Sequence, residues 1–150
     1  MPRFRKAFTL IELLVVIGVL AILLTIVLIA INPARQFSQS NNTKRRSDAN
    51  AILNAIDQYA ADNKGVIPAG IDVTVRTIGS GGTDANICAT LVTNYLAALP
   101  VDPLTNNGTP VTDCTAAYTT NYTVVRSASN NRITIAAPAQ ELNEVISVTR

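Results

Sequence analysis

From Leu13 to Ile31 the chain runs for 19 residues without a charge, and Glu12 stands immediately before that run. As an α-helix rising 1.5 Å per residue the run would span roughly 28 Å, close to the hydrocarbon thickness of a bilayer. It is built from Leu, Ile and Val with a single glycine, Gly18. A stretch apolar on all faces suits lipid or a helix-packed core better than the surface of a soluble domain. Arg3, Arg5 and Lys6 precede it, so the charge bias predicts a cytoplasmic N-terminus and an exported C-terminal domain. An ordinary secretory signal fits poorly. Its apolar core would be shorter, and Asn32-Pro33-Ala34 is a weak small-x-small cleavage site. The acid does not forbid insertion. The strongest apolar residues contribute roughly −0.3 to −0.6 kcal/mol each, against about +3 kcal/mol for a central carboxylate.

Outside this run the 150-residue chain is rich in Thr, Asn and Ala and reads as a folded domain. Its formal charge is +2, but three of the twelve basic residues lie ahead of Phe8. Without them nine cations face ten acids, so the basic balance belongs to the residues ahead of Phe8 and argues for no specific nucleic-acid partner. There is no His and only two Cys, which excludes Ser-His-Asp and Cys-His nucleophile arrangements and a zinc ligand set. Gly79–Gly82 lacks the Gly-Lys-Ser/Thr ending of a phosphate loop. No local pattern supports an enzyme, and no cofactor is expected.

"KAFTLIELLVVIGVLAILLTIVL" resembles the N-terminus of type IV pilins and the related pseudopilins. The resemblance implies a basic leader, residues 1–7, removed by a prepilin peptidase between Ala7 and Phe8, followed by methylation of the new terminus. Ala7 stands where that family usually has Gly; it keeps a small side chain, so slower processing is expected. Glu12 is then the fifth residue of the mature chain. In the family such a carboxylate meets the terminal amine of a neighbouring subunit, and burying the two charges together costs far less than burying either alone. Phe8 and Glu12 are therefore the expected assembly residues. Glu12 would set the register of one stem against the next, as buried polar groups do in coiled coils.

The implied partners are membrane lipid before assembly, then copies of the same chain in a helical filament, with an assembly ATPase and an inner-membrane platform protein. The precursor would sit in the bacterial cytoplasmic membrane. The filament would be an extracellular pilus or a periplasmic pseudopilus of a type II secretion-like machine. A single-pass anchored binding domain that never polymerises is the competing reading; it requires neither the cut nor Glu12.

Beyond residues 8–31, the membrane or filament-core helix, Asn32-Pro33 predicts a kink. Ser38–Thr43 reads as poorly helical. Periodicity returns with Ala49, Ile52, Leu53, Ile56, Tyr59 and Ala60 on one stripe, so residues 32–65 form the amphipathic half of the stem. Ser47, Asp48, Asn50, Asn54, Asp57 and Asp62 take the other faces, and Lys44-Arg45-Arg46 reads as a solvated or salt-bridged face. Gly65 marks the stop. The head, residues 66–150, is expected to be α+β. Ile71, Val73 and Val75 alternate as a strand. Thr83 or Asp84 would cap a helix carrying Ile87, Leu91, Tyr95 and Leu99. Tyr118–Arg126 and Arg132–Ala136 read as a hairpin, with a further strand over Val145–Thr149.

Cys88 and Cys114 either pair as a disulfide, permitted by export and worth roughly 3–4 kcal/mol, or stay as buried thiols. Some pseudopilins hold calcium beside the sheet. Here Asp102, Asn106, Asn107 and Asp113 offer the oxygen ligands, with plain polar turns as the alternative.

Overall fold

The computed structural model describes residues 7–150. Helix α1 covers Leu10–Ile31 and α2 covers Pro33–Asp62. A four-stranded antiparallel sheet follows in sequential order: β1 (Arg76–Gly79), β2 (Thr119–Arg126), β3 (Ile133–Ala136) and β4 (Ser147–Thr149). A single-turn helix, α3 (Cys88–Leu91), and a 3-10 turn at Asn106–Gly108 lie between β1 and β2. The arrangement is α+β. The chain divides into two compact units, one ending at Phe37 and the other running from Ser38 to Arg150.

In the first unit, α1 buries none of its residues. It stops at Asn32, whose backbone is left-handed (φ 43°, ψ 79°). That residue also starts the next helix. Its side-chain oxygen accepts from the Arg35 N–H at 3.3 Å, and Pro33 fills the first helical position, where a missing N–H costs nothing. The break is thus an N-cap followed by proline.

Ser38–Thr43 is helical, contrary to its composition. Ser, Asn and Thr disfavour helix when their side chains compete for nearby backbone. Here Ser38, Asn41 and Asn42 are engaged instead with Glu141, about a hundred positions away. Thr43 bonds the Gln39 carbonyl within the helix. At the far end the helix closes through Gly65, at φ 88°, whose N–H donates to Ala60 O at 2.7 Å.

The second unit packs the expected stripe of α2 on the sheet. Ala49, Ile52, Leu53 and Ile56 are buried, joined by Ala55, while Tyr59 packs partly buried against them. They meet Tyr122 and Val124 of β2, Ile135 of β3, and Ile78, Leu91 and Leu99 from the first half of the head. In β2, Asn121 takes a left-handed backbone (φ 61°) where the register against β1 shifts. The buried Thr120 hydroxyl repairs that bulge, donating to Ile78 O and accepting from Tyr122 N.

Two further sequence expectations are corrected. Residues 71–75 are not a strand, and β1 begins only at Arg76. Asp72 explains the difference: its carboxylate accepts from Thr74 N–H at 2.8 Å and binds the Arg76 guanidinium at 2.7 Å, closing a turn over the alternating residues. The helix expected from Thr83 or Asp84 to Leu99 is reduced to α3. Asp84 accepts instead from Gly81 N, and Thr93 takes φ 73° in a turn bonded to Leu96 O. Ile87, Leu91 and Leu99 still reach the core, carried there by turns rather than by a helix.

Lys44-Arg45-Arg46 takes the salt-bridged of its two expected forms, but Arg45 and Asp48, placed away from the apolar stripe, do not face solvent. Both are buried, Arg45 completely. Arg45 Nε lies 2.6 Å from Asp102, which is also fully buried, and its Nη1 donates to Glu141 at 2.8 Å and to Asn42 at 3.0 Å. Tyr122 donates its hydroxyl to Asp48 at 2.9 Å, and burial together with that carboxylate pushes the phenol pKa far up.

Candidate assembly and processing site

Helix α1 begins with a reciprocal cap. The Thr9 hydroxyl accepts from the Glu12 N–H at 3.3 Å, while Glu12 Oε2 accepts from both the Thr9 N–H and the Thr9 hydroxyl at 2.8 Å. This satisfies orphan donors of the first turn and places a negative charge at the positive end of the helix dipole. Thr9 was absent from the site read by residue type. Its signal is local and simple: Thr-x-x-Glu directly ahead of an apolar run.

Ile11, Glu12, Val15 and Val16 follow Phe8 by three, four, seven and eight positions and with it line one shallow notch of about 370 Å³ on the helix surface. The carboxylate is thereby held beside apolar side chains. Phe8 is 89% exposed, and Ala7 ahead of it is exposed as well. The bond between Ala7 and Phe8 stands clear of the folded helix. Arg3, Arg5 and Lys6 lie outside the described residues. Among the described residues α1 is the one helix long and apolar enough to cross a membrane.

Cys88 and Cys114 are joined as a disulfide with Cα atoms 5.4 Å apart, tying α3 to the segment before β2. Two of the four oxygen residues considered for calcium, Asp102 and Asp113, spend their carboxylates on partners of their own. Both Asp102 oxygens are engaged, by Arg45 and by the Leu104 N–H. Asp113 turns back on the Thr115 hydroxyl and N–H, which hold its carboxyl below the usual range. Asn106 and Asp113 border one open cavity of about 440 Å³ that Asp102 does not reach. Among the described residues no three His, Cys, Asp or Glu side chains converge as a metal site.

Residues 2–28 match the family model described as the prokaryotic N-terminal methylation motif. The chain therefore carries the N-terminal signal of type IV pilin and pseudopilin precursors. This signal and the apolar helix fit a membrane-anchored precursor. No curated protein and no solved structure matches the chain.

Proposed function

We propose that the protein is a structural subunit of a type IV pilus, cut after Ala7 and assembled by packing α1 helices side by side. The observation that carries this reading is the pairing of a methylation motif with a 22-residue helix that buries nothing within its own chain. Such a helix needs apolar cover on every side. Lipid supplies it before assembly and neighbouring stems supply it afterwards, so the exchange is nearly balanced and machinery must give it direction. In the mature chain Phe8 gains a cationic amine one residue ahead of the Thr9–Glu12 cap. The neighbouring subunit's amine then finds a carboxylate already held in place at the edge of an apolar helix.

The prepilin peptidase, an assembly ATPase and a membrane platform protein are the partners this reading needs, and the folded head would reach the cell exterior. A pseudopilin would share the same N-terminal chemistry and differ in the length of the fibre.

The test is Glu12→Val. The variant should insert in the membrane and lose its leader as the wild type does, yet yield no sheared surface fibres by electron microscopy. Wild-type fibre yield from it would sink the proposal. Long surface fibres from the unaltered chain indicate a pilus; short fibres confined to the envelope indicate the pseudopilin.

A further inference from the structure

The segment joining β3 to β4 is fastened to α2 chiefly through Glu141. Its Oε1 accepts from the Ser38 hydroxyl at 2.9 Å, and its Oε2 accepts from Asn41 Nδ2 at 2.9 Å and Arg45 Nη1 at 2.8 Å. Asn42 grips its backbone in both directions, donating to Glu141 O at 2.7 Å and accepting from Glu141 N at 2.9 Å. Four residues from successive turns of one helix face converge on it. The next two residues, Leu142 and Asn143, hold left-handed backbones at φ 59° and 55°. That conformation is unfavourable for a residue with a side chain, more so for Leu than for Asn. Beyond them Glu144 pairs with Arg46 at the surface, where an ion pair adds little. A strained turn is thus held between one strong fastener and one weak one.

We propose that residues 138–145 form an acid-releasable clasp. While Glu141 is ionised it keeps the Leu142–Asn143 turn strained against α2; its protonation lets the turn relax and lift off, leaving the core beneath intact. The charged groups around it fit this assignment. Arg45 stays fastened to the buried Asp102 below, Lys44 is taken by Asp48, Asp48 also holds the Tyr122 hydroxyl, and Arg46 faces Glu144. Asp102 has no exposed surface, whereas the Glu141 side chain is 27% exposed. Arg45, Asn41 and Ser38 hold the Glu141 carboxyl below its usual range. The carboxylate's share of the fastening is therefore fully present above the ordinary carboxylate pKa and is lost as pH falls through the lowered one, leaving the two Asn42 backbone bonds against the Leu142–Asn143 strain.

A pH titration followed by nuclear magnetic resonance on the full chain in detergent micelles tests this. Amide signals of residues 139–145 and 38–46 should move with the Glu141 carboxyl signal while those of Ile52, Leu53 and Tyr122 stay put. At neutral pH, Glu141→Gln should lose amide-exchange protection over residues 139–145 and keep it in the core. Leu142→Gly, which relieves the strain, should shift the transition to lower pH. The proposal is overturned by clasp amides indifferent to the Glu141 titration, by loss of core and clasp together, by full clasp protection in Glu141→Gln, or by an unmoved midpoint in Leu142→Gly.

Discussion

Thr9 gives Glu12 an occupation that needs no second subunit. The carboxylate closes the first turn of its own helix and is held beside the backbone where cleavage would create an amine. Under the proposed assembly, capping and subunit pairing would use the same group in sequence. Thr9→Val keeps the shape and removes the hydroxyl that both donates to and accepts from Glu12. By analogy with other N-caps it should cost about 0.5–2 kcal/mol, seen as faster amide exchange over residues 10–13 in micelles with the rest of α1 unchanged. A second residue-scale prediction concerns Thr93, a β-branched side chain at φ 73° on an exposed turn. A left-handed backbone costs such a residue roughly 1–2 kcal/mol. Thr93→Gly should therefore stabilise the head by about 1 kcal/mol in denaturant unfolding, the gain being trimmed by glycine's greater freedom when unfolded.

At the scale of the element, α2 shows what a linear reading reaches. The stripe from Ala49 to Ile56 was legible because its 3.6-residue period is written locally. Arg45 was not, because its partners Asp102 and Glu141 lie 57 and 96 positions away. A basic triplet on a helix ordinarily faces water, and nothing nearby marked one member for burial. The helical course of Ser38–Thr43 escaped notice for the same reason, its side chains being answered by Glu141. The shortened helix around α3 has a local cause instead, the turn at Thr93. Arg45→Met should destabilise the head by about 3–5 kcal/mol, since it strands the buried Asp102 charge. Arg45→Met combined with Asp102→Leu should recover most of that loss, because Glu141 can still reach water. Equal destabilisation in the single and double variants would show that the pair is not what holds this part of the head.

For the whole molecule, the N-terminal signal was readable because it is contiguous: a capped apolar helix behind a basic leader. The head was readable as a class, a helix on an antiparallel sheet, but its first half was not. There Asp72, the loop around Gly81 and the turn at Thr93 decide the path, and each acts through a specific hydrogen bond rather than a periodicity. The Cys88–Cys114 disulfide stabilises that irregular half, where α3 is a single turn with little cooperativity of its own. Replacing both cysteines with Ser should lower head stability by roughly 2–5 kcal/mol in denaturant unfolding. The most direct measurement on the molecule is N-terminal sequencing with intact mass of protein recovered from membranes. A chain beginning at methylated Phe8 is the expected result, and a chain beginning at an intact Met1 would contradict it.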